Sequence, residues 1–247
     1  MLPRPDGSGT AFATRSNTLR LSVTFARMLW SRVQRKLDGG LLRRLGTAAF
    51  DRQTNNVQSV RWMGKPIRQN PLDIWTIQEL IVEQDIDVVL ECGTLDGGSA
   101  YFMATLFDLL GRGSVVTVDT QARARPEHPR IQYLAGSSVD PSVVAEARDL
   151  ALRRQSARIL VVLDSDHAAD HVLQELRAYA DLVPVGSYLV VQDGVVDELR
   201  VFKRWRPGPL VAIAQFVAEN PDFEVDERRS SKFLFHYSPR GCLRRIR

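Results

Sequence analysis

The chain has 247 residues and 44% hydrophobic content, enough to bury one sizeable core, so one domain with appendages is the simplest organisation. Its net charge of +4 is unevenly placed: nine Lys/Arg against Asp6 and Asp38 give +7 through Phe50 and leave −3 for the remainder, which argues against a main body that grips nucleic acid. The two cysteines, Cys92 and Cys242, make no disulfide framework, and a reducing cytoplasm is the default compartment.

Residues 1–16 are polar, contain Gly, Ser and Pro, and lack the continuous apolar core of a signal peptide. They read as a disordered tail. Over residues 17–50, Arg20, Thr24, Arg27, Ser31 and Arg35 fall on one helical stripe, and apolar residues such as Leu21, Phe25, Met28 and Trp30 cover the rest. This basic amphipathic extension is too charged to span a bilayer. It suits an anionic membrane surface, and also, as the plainer expectation, packing against the following domain or a second subunit. Gly39 and Gly40 break it before a second short basic helix over 41–50.

Residues 51–247 read as the main domain. A polar loop over 51–72 would lie across the mouth of a site, with Trp62 and Lys65 within reach of a substrate or Trp62 plugging a core edge. A helix over 71–84 turns Ile74, Ile77, Leu80 and Ile81 inward. A short apolar strand over 88–90 then leads through Glu91, Gly93, Gly97, Gly98 and Ser99 into a helix over 100–110. Glycines at such a joint let backbone N–H groups approach a ligand closely, and the helix N-terminus adds donors. The loop departs from the G-x-G-x-x-G of dinucleotide sites and lacks the Gly-Lys-Ser/Thr of a Walker loop. With a carboxylate at the strand end it suits S-adenosylmethionine better than NAD; a joint used only for packing is the alternative.

Strand and helix continue to alternate. The strand over 114–119 ends in Asp119, where a doubly wound fold places the acid that accepts ribose hydroxyls. After a third strand over 131–135, Ser137 and Ser138 are expected to border an adenine. A helix over 141–155, a strand over 158–163 closed by Asp164, a helix over 168–182, and a strand over 187–191 followed by Gln192 and Asp193 complete the pattern of a mainly parallel, doubly wound α/β sheet. Asp164 and Asp193, with Asp166 and Gln192, form a set of hard oxygen ligands suited to Mg²⁺, or else cap the following helix and start a turn. With the ion bound, an acceptor hydroxyl would lose its proton more readily and attack a methyl sulfonium. His167 is the candidate general base. His167 and His171 stand four apart but lack the glutamate of H-E-x-x-H, so zinc is not supported and His171 reads as a helix residue. A basic, aromatic loop over 199–209 is either a site for an anionic or sugar substrate or solvated surface. Residues 210–219 form a helix, and 223–226 with 233–237 form an antiparallel hairpin, a feature that fits methyltransferases better than NAD domains.

Four motifs in order carry a resemblance: ECGTLDGGS from Glu91 to Ser99, LDSDH ending at His167 with HVLQEL starting at His171, GSYLVVQD ending at Asp193, and SPRGCLRR from Ser238 to Arg245. Together they resemble the cephalosporin hydroxylase family, which includes rhamnosyl O-methyltransferases. The resemblance covers residues from about Trp62 to the C-terminus. It implies a class I, Rossmann-like methyltransferase fold with S-adenosylmethionine and Mg²⁺ as cofactors. It also implies a donor-binding role for Glu91, Gly93 and Ser99 and a metal-binding role for Asp164, Gln192 and Asp193. Gln192 departs from the Glu that the family often carries, replacing an anionic ligand with a neutral amide. The expected activity is Mg²⁺-assisted O-methylation of a hydroxyl, on a sugar of a glycolipid or secondary metabolite. Expected partners are that small-molecule or glycolipid acceptor and, through residues 17–50, a membrane surface or a second copy. A hydroxylase component and a noncatalytic donor-binding protein are the competing expectations.

Overall fold

The structure, a computed structural model, describes residues 59–153 and 157–247; the expected tail, the basic extension and the start of the following loop lie outside the described residues. The first described element is a tight hairpin rather than an irregular loop. β1 (Arg61–Trp62) pairs antiparallel with β2 (Lys65–Pro66) across Met63 and Gly64, whose φ values of 45° and 79° are those of a hairpin turn that matches strand twist. Trp62 packs edge-on against Phe102, ring centroids 4.9 Å apart, and its indole N–H donates to Thr105 Oγ1 at 2.9 Å. It plugs the core edge.

Helix α1 (Pro71–Glu83) starts where Asn70 accepts from the Leu72 N–H at 2.9 Å and Pro71 supplies a preset φ. Then come β3 (Val88–Cys92), α2 (Gly98–Leu110), β4 (Ser114–Asp119), β5 (Ile131–Ala135), α3 (Pro141–Leu152), β6 (Ile159–Leu163), α4 (Ala169–Tyr179) and β7 (Tyr188–Val191). The boundaries fall within a few residues of those expected from periodicity. Beyond β7 lie the short α5 (Val195–Glu198), a 3-10 turn over Arg200–Trp205, α6 (Pro209–Glu219), β8 (Phe223–Val225), α7 (Glu227–Ser230) and β9 (Cys242–Arg245).

The seven-stranded sheet has the order β5-β4-β3-β6-β7-β9-β8, parallel from β5 to β7, with β9 running antiparallel between β7 and β8. This is the doubly wound sheet with an antiparallel C-terminal pair that the sequence implied. The partner of β8 is, however, β9 and not residues 233–237. Side chains of the α1 segment take the backbone groups of that stretch: Asn70 donates to the Phe235 carbonyl at 3.1 Å, and Asp73 accepts from the Tyr237 N–H at 2.7 Å. Polar side chains thus outcompete a ladder for them.

Strand alternation divides the core. Leu90, Val116, Val161 and Leu189 face α3, α4 and α6 through Ala147, Leu176 and Phe216. Val89, Val115, Leu160 and Val190 face α1 and α2 through Ile77, Leu80, Met103 and Phe107. Each fully buried side chain of this kind stabilises the fold by about 1.5–3 kcal/mol. The parallel strands deliver their carboxyl ends to one rim, where an open α/β sheet binds ligands. Among the described residues no helix is long and apolar enough to cross a membrane.

Candidate active site

The rim is shaped first by Gly93. Its φ is +104°, and a Cβ there would lie 2.0 Å from the Asp164 carbonyl oxygen, so the loop after β3 crosses directly over the end of β6. The next turn is fixed by Asp119, whose carboxylate accepts from the Leu95 and Gln121 N–H groups, each at 2.7 Å, with the Arg125 guanidinium 3.7 Å away. One strand-end acid therefore holds two loops, and each oxygen keeps a lone pair for a further donor.

Between these loops and the ends of β6 and β7 opens a cavity of about 590 Å³. Gly93, Asp119, Ser137, Ser138, Asp164, His167 and Asp193, all expected site residues, line it. Glu91, Gly97, Gly98 and Ser99 do not. Gly97 adopts a left-handed φ of 77° to begin α2, and Gly98 lets the hairpin pass, since a Cβ there would lie 1.9 Å from the Pro66 carbonyl oxygen. Glu91 is 1% exposed, accepts from Thr117 Oγ1 at 2.5 Å and bonds to Ser99, so it ties β3, β4 and the start of α2 together behind the wall. In these positions the four residues shape the loop from behind.

Burial raises the Glu91 pKa from 4.5 to about 7. The folded chain thus holds this proton more tightly than the unfolded chain. The stability it contributes is fully present below about pH 4.5 and is lost as pH rises through about 7, an effect of about 3 kcal/mol. Glu91→Gln, which keeps the acceptor oxygen, should gain on the native chain in melting temperature as pH rises over that interval; parallel melting curves against pH would contradict it.

At the other end of the cavity Asp164, His167 and Asp193 converge, with one potential ligand atom from each within 4.8 Å of the others. The His167 Nε2 lies 3.1 Å from Asp193 Oδ2. Asp193 holds a left-handed φ of 55°, which aims its carboxylate back over the rim. Burial pushes the Asp164 carboxyl well above its usual range and the Asp193 charge raises it further; burial also raises Asp193, with His167 pulling it the other way. Two crowded carboxylates under such stress are a site that a cation would relieve. The Gln69 amide already donates to Asp164 Oδ2.

Gln192, next in the chain to Asp193, lines a different pocket from these three residues. Strand alternation puts it on the α1 side with Val190, 3% exposed, in a separate small pocket with Asp73, Ser238 and Cys242. Asp166 accepts from the Ala168 N–H at 2.8 Å in the turn before α4, while also reaching the cavity. Gln69 and Arg68, the latter paired with Asp96 at 3.0 Å, come from the segment before α1 and were not found from sequence. No motif spacing links Arg68 to Asp96, 28 positions on, or Gln69 to Asp164, 95 positions on.

A family model described as Rhamnosyl O-methyltransferase/CmcI matches residues 54–246. A Mycobacterium bovis protein named Rhamnosyl O-methyltransferase is 34% identical over 189 residues, covering 74% of this chain and 76% of the relative. Its Mycobacterium leprae counterpart is 32% identical over 187 residues, covering 74% and 81%. A solved CmcI structure with Mg and SAM superposes with a TM-score of 0.61 at 17% identity, over 77% of this chain and 78% of that one. A CmcI apo-structure gives 0.59 at 19% identity, over 77% of each chain. These two likenesses establish the fold. With that fold, the match along nearly the whole described region, and relatives above 30% identity, the chain belongs to the Rhamnosyl O-methyltransferase/CmcI family of S-adenosylmethionine-dependent O-methyltransferases.

Proposed function

We propose that this chain methylates a hydroxyl of a sugar, with Asp164 and Asp193 holding Mg²⁺ and His167 acting as the base. The observation that carries it is the meeting, in one cavity, of a close-approach glycine, a ribose-type acid and a crowded carboxylate pair beside an imidazole. The cavity volume falls within the about 300–1,000 Å³ typical of small-molecule sites. The donor set fits the metal: Mg²⁺ prefers one or two carboxylates and leaves other positions to water or substrate oxygens, so the imidazole is better used as a base than as a ligand.

When bound, the donor supplies a methyl group on a sulfonium and Mg²⁺ makes an acceptor hydroxyl more acidic. Asp119 orients the ribose through its free lone pairs. Gly93 brings the backbone of the loop against the donor. With Nε2 directed at Asp193, His167 keeps Nδ1 to take the hydroxyl proton, and Asp193 stabilises the imidazolium that results. The name of the relatives supports a rhamnosyl acceptor, and the motif resemblance between Glu91 and Arg245 extends the proposal to a sugar carried on a lipid or secondary metabolite.

Transfer of labelled methyl from S-adenosylmethionine to a rhamnosyl glycoside is the test. EDTA should lower the rate at least about tenfold, and Mg²⁺ should restore it. Donor binding without transfer to any sugar would leave a noncatalytic protein.

A further inference from the structure

Behind the cavity wall built from Ser138, Ser165 and His171 lies a carboxylate that water does not reach. Glu175, on α4, is 0% exposed. Its Oε1 accepts from Ser138 Oγ and from Ser165 Oγ at 2.6 Å, and lies 3.4 Å from His171 Nε2. Its Oε2 has no hydrogen-bond partner among the described residues. Next to it, Cys92 is held as a neutral thiol by burial, and Tyr179 donates past it to the Ser138 carbonyl at 2.7 Å.

A buried carboxylate costs several kcal/mol unless its surroundings compensate it. Here the three groups gathered on one oxygen are all residues that line the cavity. The carboxylate therefore orders a binding surface. The hydrogen-bond chain also fixes the imidazole. Because the Ser138 hydroxyl donates to Glu175, its oxygen is free to accept, and it lies 3.1 Å from His171 Nε2. Nε2 thus carries the proton; the hydrogen-bonded Glu175 carboxylate raises the His171 pKa above its usual value, and in mildly alkaline solution, where the ring is neutral, Nδ1 is left as an acceptor.

The donor's methyl group must face the acid cluster and its ribose must face Asp119, which leaves its purine to the wall of Ser137, Ser138 and His171. From this placement, and resting on the function proposed above, we infer that His171, held in position by Glu175, reads the exocyclic amine of the donor's adenine. Glu175 is then a positioning residue and His171 a specificity residue. An inosyl analogue, which offers a carbonyl oxygen where adenine offers an amine, meets acceptor against acceptor and is rejected.

The test is calorimetric titration, in mildly alkaline buffer, of the full chain with S-adenosylhomocysteine and with S-inosylhomocysteine. The native chain should favour the adenosyl compound at least about tenfold, the ratio set by about one hydrogen bond's worth of discrimination. His171→Phe, which keeps a ring without an acceptor, should bring that ratio below about threefold. Glu175→Gln should lower it as well while the chain still melts cooperatively; His171→Ala serves if the Phe variant does not fold. An unchanged ratio in the His171 variants, or equal binding of both compounds by the native chain, would overturn the inference and leave the methyltransferase reading intact. Failure of the native chain to bind either compound would overturn that reading and the inference with it.

Discussion

Asp193→Asn is expected to lower kcat/KM for methyl transfer by about 10²–10⁴-fold while changing the affinity for S-adenosylhomocysteine less than about threefold. The substitution removes one negative ligand from the acid cluster and the partner that orients His167, 3.1 Å away. It should not damage the fold. Asn tolerates the left-handed backbone that position 193 requires, with its φ of 55°, and it matches Asp in volume. Removing one of two crowded, partly buried charges should leave the melting temperature of the metal-free protein unchanged or raised. The same split between turnover and donor binding is expected for Asp164→Asn, whose carboxyl burial already pushes upward. Equal losses in donor affinity and in turnover for both variants would mean that these acids shape the donor cavity rather than serve the transfer.

The second large effect is expected at Gly93. Gly93→Ala places a Cβ within 2.0 Å of the Asp164 carbonyl oxygen, and does so at a φ of +104° that no side chain tolerates well. Both obstacles are backbone, so nothing can swing aside. The loop must lift off β6, which moves Asp164 and opens the donor cavity together. A loss of at least about 3 kcal/mol in stability and of measurable donor binding is expected, read by denaturant melts and by calorimetry. Gly186→Ala is the control. It has a comparable φ of +85° but nothing within 4 Å of its Cβ, so only the conformational cost of about 1 kcal/mol should appear, with donor binding intact. Matching losses in the two variants would place the role of Gly93 in conformation alone.

The parts of the molecule that repeat a local rule were legible in the chain. Five parallel strands announce themselves as short apolar runs ending in Cys92, Asp119, Ala135, Leu163 and Val191, and the glycine-rich joint after β3 was readable because left-handed turns need glycine. Asp164, His167 and Asp193 could be named because strand-end residues of a parallel sheet share one rim. What the chain hid depends on direction or on distance. Gln192 and Asp193 are adjacent, yet alternation sends the first toward α1, while a positive φ turns the second to the cavity. Residues 233–237 have a strand's composition, but Asn70 and Asp73 capture their backbone groups, and the ladder passes to Cys242–Arg245. Glu91 carries the motif position of a ligand-binding acid and is buried with Thr117 and Ser99. Glu175 looks like a solvated helix glutamate until the cavity wall is seen to rest on it.

The most direct measurement is calorimetric titration of the full chain with S-adenosylmethionine and S-adenosylhomocysteine, each in Mg²⁺ and then in EDTA. Saturable binding of both nucleosides, with a metal-dependent change in the presence of a rhamnosyl acceptor, is the expected result. Absence of binding by either nucleoside, in Mg²⁺ and in EDTA alike, would contradict the assignment of the cavity above Gly93 and Asp119 to a methyl donor.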